Sequence, residues 1–140
     1  MKQEDYVAAK REYTFLSKQS SDAGAEAKYT LALIEYKMGN YKTSQSKCYD
    51  VASQVPSYDY WIAKSFILLA DNHIALKDTF EAKATLQSLL DNYKKDPSDQ
   101  EDIKAIAQEK LDDLILEEMN ENKAPAPQPD PETDLNQEKN

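Results

Sequence analysis

The chain has 140 residues, 40% hydrophobic and 31% charged, which is enough for one domain with a modest core. Its net charge of −9 and isoelectric point near 4.6 argue against nucleic acid as a ligand, since phosphates need a basic surface, and against docking on anionic lipid. A single cysteine, Cys48, rules out an internal disulfide, and no apolar run approaches the roughly 20 residues of a membrane helix.

The N-terminus, MKQEDYVAAK, has no apolar core and does not read as a signal peptide. The chain as written is therefore expected to be soluble. Its compartment stays open: cytoplasmic, or periplasmic if the chain belongs to a longer exported protein. The only glycines are Gly24 and Gly39, and four of six prolines fall between Pro125 and Pro131. So few turn-formers over the first 120 or so residues predict an all-α fold.

Apolar spacing at Tyr6, Ala9, Tyr13 and Leu16 predicts a helix over 4–19. The stretch SSDAG (20–24) reads as a loop. A second helix is predicted over 25–38 and ends at Gly39, with Asn40 capping a third over 41–54. Pro56 stops that helix. Asp59 is expected to cap the fourth, which runs to about Leu76. Asp78 with Glu81 forms a capping-box pattern for a fifth helix to about Tyr93. Ser98 with Glu101 suggests a second capping box and a last helix over 99–119. Its apolar line is Ile103, Ala107, Leu111, Leu114 and Ile115, and its other face is acidic. From about 121 the chain alternates proline with polar residues, so 121–140 is expected to be an extended, disordered acidic tail.

The helical segments repeat. Lys28, Leu31, Ala32, Ser44 and Cys48 match Phe66, Leu69, Ala70, Ala82 and Leu86 at a constant offset of 38, which Asn40 and Asp78 share. Asp5, Tyr6, Ala9 and Tyr13 precede Asn40, Tyr41, Ser44 and Cys48 by 35. Periods of this length signal stacked helical hairpins.

This register resembles that of tetratricopeptide repeat (TPR) proteins over roughly residues 4–94. Leu31-Ala32 fall where Leu-Gly belong, Ser44 and Cys48 take the small and aromatic places, and Pro56 takes the closing proline. In the next copy Phe66, Leu69-Ala70, Ala82 and Leu86 match, while His73 and Lys94 depart from the pattern. Lys28 and Glu35 depart in the earlier copy. The resemblance implies an α-solenoid of about two and a half repeats with 99–119 as a solvating cap. The insertion at SYDYW is similar to bacterial TPR proteins of the cell envelope. On this reading Gly39-Asn40-Tyr41 is a turn, not a ligand loop.

Chemistry finds little support. His73 is the only histidine and has no nucleophile arranged with it. Cys48 takes a packing place. One Cys and one His do not make a zinc site of the usual type. Two distant glycines make no phosphate loop. Asp112-Asp113 and Glu117-Glu118 are adjacent on a helix and do not converge as an acid–base pair must. No catalysis, cofactor or metal is expected.

The resemblance instead implies a groove lined by the first helix of each pair. Carried over position by position, it places Glu26, Tyr29, Leu33, Tyr36 and Lys37 there, with Lys64, Ile67, Asp71, Ile74 and Ala75 opposite. The implied function is a non-catalytic scaffold binding a protein or peptide partner. The family's carboxylate clamp needs Lys and Asn where this chain has Tyr29 and Leu33, so that mode is not expected. The first helix lacks the partner it has in a whole repeat. Tyr6, Ala9, Tyr13 and Phe15 are therefore expected to be open to self-association, or to further repeats if this is the C-terminal part of a longer array.

Overall fold

The computed structural model describes residues 3–123. The expected tail from 124 onward lies outside the described residues. Six helices follow in order: α1 (Gln3–Leu16), α2 (Asp22–Lys37), α3 (Tyr41–Ala52), α4 (Asp59–Ala75), α5 (Thr79–Asn92) and α6 (Ile103–Asn122). Among the described residues there is no strand, so the fold is all-α. No helix is long and apolar enough to cross a membrane.

Each helix packs on the next, and α4 also touches both α2 and α6. The odd-numbered helices do not touch one another directly. Thus α2, α4 and α6 form a continuous row, with α3 and α5 each wedged against two members of it.

Several helix boundaries depart from the sequence expectation, each for a local reason. α2 begins inside the expected loop, because Ser21 caps it by accepting the Gly24 N–H at 3.1 Å. Gly24 then lies in the first turn against the end of α1. A Cβ there would meet the Gln19 carbonyl oxygen at 1.9 Å, so only glycine fits without a backbone shift. α1 stops at Leu16, three residues early, to make this corner.

Gly39 closes α2 with φ +82, as a left-handed end requires. Asn40 sits at the N-cap of α3 but does not cap it. Its amide donates instead to the Glu35 carboxylate at 2.9 Å. Asp59 does not cap α4 either. It is the first helical residue, and Tyr58 precedes it without a side-chain cap. Asp78 does cap α5, through the Glu81 N–H.

The second expected capping box fails outright. Asp102 caps α6 through the Ala105 N–H at 3.1 Å, so the helix starts at Ile103 and not at 99. Ser98 bonds back to Asp96, and the Tyr93 hydroxyl pins the connection by donating to Asp99 at 2.6 Å. At its other end α6 runs to Asn122, taking in the first two residues assigned to the tail. Ile115 is exposed and not part of the buried line. It lies with Leu116 and Met119 on a surface that is mixed rather than wholly acidic.

The core is uneven. Eleven buried residues, from Ala63 on α4 to Leu114 on α6, form one continuous apolar cluster around Leu86 and Ile103. Two smaller clusters join α2, α3 and α4: one around Ala32, Cys48, Leu68 and Leu69, the other around Ala25, Val51 and Trp61. α1 adds no fully buried side chain among its described residues.

Small residues sit where helices cross. Ala32, Ser44, Ala70 and Ala82 are wholly buried, as the repeat register requires. Ser44 also carries a polar pin: its hydroxyl donates to the Ala32 carbonyl at 2.7 Å and accepts from Asn72 at 2.8 Å.

Candidate interaction surface

The row α2–α4–α6 brings together much of the expected groove. On α2, Tyr29, Leu33 and Tyr36 recur at four and three residues and so share a face. All three are half-buried, packed against the cluster of Ala32, Cys48, Leu68 and Leu69. Glu26 and Lys37 flank them and are exposed. Each tyrosine therefore has an apolar body in the core and an edge available to solvent.

Tyr29 is the more embedded of the two tyrosines. Its ring lies 5.7 Å from Trp61, and the Lys64 ammonium stands 5.5 Å from its centroid. Burial first, then the carboxylates of Glu101 and Asp71 and the Cys48 thiol, pushes its phenol up to about 12. Tyr36 pairs with Tyr41 at 5.5 Å, and burial followed by Asp71 raises its phenol too. Both side chains stay neutral across the physiological range.

On α4 the expected residues divide. Ile67, expected in the groove, is 8% exposed and packs into the main core. Ile74 is half-buried against the same core, and Ala75 is half-buried. Lys64 and Asp71 do lie at the surface, but both are engaged. Lys64 bridges to Glu101 at 2.7 Å and Asp71 to Lys110 at 2.8 Å.

Lys110 belongs to α6, and Glu101 to the connection just before it. α6 is thus more than an end cap: it is the third wall of the face. Spacing within a single helix does not show which other helix will come to lie over it. That is why the burial of Ile67 and the ion pairs of Glu101 and Lys110 escaped the sequence reading. Tyr60 was missed as well. It stands edge-on to Trp61 at 5.0 Å, and burial raises its phenol above the usual range.

The isolated reactive side chains are held in packing roles. Cys48 is 2% exposed, and burial pushes its thiol up to about 12, so it is no thiolate nucleophile. His73 is half-buried, with Nδ1 3.2 Å from the Gln45 amide nitrogen. Among the described residues, no three His, Cys, Asp or Glu side chains converge as metal ligands would.

α1 differs from expectation. Its half-buried residues, Tyr6, Ala9, Lys10, Tyr13 and Leu16, lie on one side, and among the described residues α2 is the one helix it packs on. Tyr6, Ala9 and Tyr13, expected on a self-association face, are thus half-buried. Phe15, about half a helical turn round from Tyr6 and Tyr13, is 70% exposed, and Val7 is 47% exposed. What ties α1 down is Glu35, buried to 3% and missed by the sequence reading. Lys10 reaches it at 2.6 Å, and Asn40 donates to its other oxygen. Burial pushes the Glu35 carboxyl up. The Lys10 and Asn40 bonds, with the field of Lys47, outweigh that and hold it below its usual value.

No protein-family model, curated protein or solved structure matches the chain. Function therefore has to be argued from this geometry.

Proposed function

We propose that the protein is a non-catalytic interaction module of the TPR-like kind, binding a segment of a partner protein along the α2–α4–α6 face. The observation that carries this reading is the line Tyr29–Leu33–Tyr36, half-buried on a continuous row of helices. Rigid, amphipathic tyrosines give contact area at small entropic cost, and a helical row gives a groove for a helix or an extended segment. The repeat register supports placing the chain among TPR-like solenoids, and the insertion at SYDYW supports the bacterial cell-envelope group among them. The exposed charges of Glu26 and Lys37 would set the orientation of the partner.

Tyr36→Ala with Lys37→Ala is the informative variant, because both side chains lie outside the main core. It should keep its circular dichroism spectrum and lose a partner that the wild type captures from a native lysate. Equal capture by both proteins would move function off this face. Tyr29→Phe should bind as the wild type does unless the partner hydrogen-bonds the phenol.

A second reading, self-assembly, is favoured by one observation. Among the described residues α1 packs on α2 alone and leaves Val7 and Phe15 exposed. In this form the contact would use Val7 and Phe15 rather than Tyr6, Ala9 and Tyr13. Light scattering over a concentration series tests it: a constant monomer mass removes this reading.

A further inference from the structure

The hairpin repeat allows the protein to be compared with itself. At offsets of 35 on the odd helices and 38 on the even ones, Thr14, Ser17, Lys28 and Leu31 correspond to Tyr49, Ala52, Phe66 and Leu69. The second set lines a closed junction of α3 and α4 that leaves no space for a water molecule. Phe66 packs there against two of the core clusters, and on its α5 side it also lines a hollow of about 280 Å³.

The first set lines an open hollow of about 410 Å³ where α1, α2 and α3 meet. Lys28 stands in this hollow where the later junction has Phe66. It lies on a different face of α2 from Tyr29, Leu33 and Tyr36.

The polar groups around this hollow are not satisfied from within. Gln54 lines it, is 8% exposed, and has no hydrogen-bond partner for either its amide nitrogen or its amide oxygen. A buried primary amide left bare on both sides costs free energy that a ligand or solvent must offset. Lys28 and Lys47 flank it, and neither has a carboxylate within ion-pair distance among the described residues. The field of Lys47 reaches Glu35, but Lys10 already holds that carboxylate at 2.6 Å.

The hydroxyls of Ser17 and Ser53 donate to the backbone carbonyls of Thr14 and Asp50. They face the hollow as acceptors only. Its free donors are therefore two ammonium groups and one amide. Asp50 is the single carboxylate in the lining. In a chain of net charge −9 this is a locally cationic, hydrogen-bonding recess.

We propose that this hollow binds a small oxyanion, a carboxylate or phosphate group held between Lys28 and Lys47, with a neighbouring donor–acceptor group read by the Gln54 amide. Two ammoniums supply charge-assisted hydrogen bonds to such an anion. Gln54 supplies one donor and one acceptor, so a hydroxyl beside the anion satisfies both of its bare atoms.

The test is a nuclear magnetic resonance titration of the full chain at constant ionic strength, with two probes: inorganic phosphate and malate, a hydroxy-dicarboxylate. The readout is the side-chain amide pair of Gln54. A saturable shift is expected with at least one probe, and the better probe tells phosphate from carboxylate chemistry. Lys28→Met and Gln54→Met, both checked for native circular dichroism, should each weaken the preferred probe at least about tenfold.

Lys28→Phe should place an apolar ring in the hollow, raising the melting temperature and abolishing the titration. Shifts linear in concentration, or unchanged in Lys28→Met, would overturn the proposal. So would a stabilised Lys28→Phe protein beside a wild type that binds neither probe, since the hollow would then be only an unfilled packing place.

Discussion

The two ends of the molecule are held together by different physics. α4, α5 and α6 share a continuous apolar core of eleven buried residues, and their ion pairs sit at its edge. α1 joins α2 by half-buried tyrosines and one ion pair onto a buried carboxylate. Apolar burial is non-directional and cumulative, so losing one contact leaves the rest in place. A buried carboxylate is specific: it holds only while it stays charged and partnered. The C-terminal half should therefore unfold as one unit, with α1 opening at a lower free energy.

The largest expected effect is in the continuous core. Leu86 has no exposed surface and sits at its centre. Leu86→Ala should cost about 2–5 kcal/mol, measured by urea unfolding. Leu16→Ala, on the half-buried face of α1, should cost clearly less. Equal costs would mean that the two ends are not distinct in the way described.

Next comes the pin between the halves. Ser44→Ala removes a donor to the Ala32 carbonyl and an acceptor for the Asn72 amide, both buried. The expected loss is about 1–3 kcal/mol, because two buried hydrogen bonds are lost while the Asn72 amide keeps only its bond to the Leu68 carbonyl. Ser44→Ala with Asn72→Leu should recover part of it. Failure of that rescue would show that the cost lies in packing rather than in hydrogen bonding.

Smaller and more local is Glu35→Gln. An amide keeps a carbonyl oxygen for Asn40 but loses the charge that holds Lys10. The expected cost is about 1–2 kcal/mol, felt as faster amide hydrogen exchange in α1 and the end of α2, with α5 unchanged. The pH dependence follows from the same carboxyl. Its folded pKa lies below the ordinary 4.5. Its contribution is therefore present above about pH 4.5 and is lost as pH falls through the folded value. In Glu35→Gln, α1 should show no such acid-induced step.

These contrasts also explain how much could be read in advance. The number, order and helical nature of the elements follow from apolar spacing and from turn residues such as Gly39 and Asp78, both of which act locally. The small crossing residues Ala32, Ser44, Ala70 and Ala82 were legible because a repeat compares the chain with itself. The misplaced boundaries share a cause: several good caps lie close together. Ser21, Asp22 and Gly24 compete at one corner, and Ser98, Asp99 and Asp102 at another, and tertiary contacts choose between them. Glu35 was illegible as a buried anchor because Lys10 and Asn40 reach it from different directions. The surroundings of the expected groove residues were half legible for a similar reason. Tyr29, Leu33 and Tyr36 follow from the period of one helix, whereas the burial of Ile67 and the pairing of Asp71 depend on α6.

The smallest effect on stability is expected at that third wall. Lys110 and Asp71 are both partly exposed, and the pair rests on a core that does not need it. Exposed ion pairs contribute about 0–1 kcal/mol, so Lys110→Met should barely move the unfolding curve. It should nonetheless change the surface. Asp71 would lose its counter-charge in the face where Tyr36 lies within reach of its field. A partner segment carrying a lysine or arginine would then bind Lys110→Met more tightly and with steeper salt dependence, whereas an acidic segment would bind it more weakly. The contrast with Lys10→Met is the sharpest form of the comparison. There the same chemical change should loosen α1, because the carboxylate left behind is buried. Two lysine-to-methionine variants with opposite profiles, one structural and one confined to binding, would show that pairs of similar length serve different ends of this molecule differently.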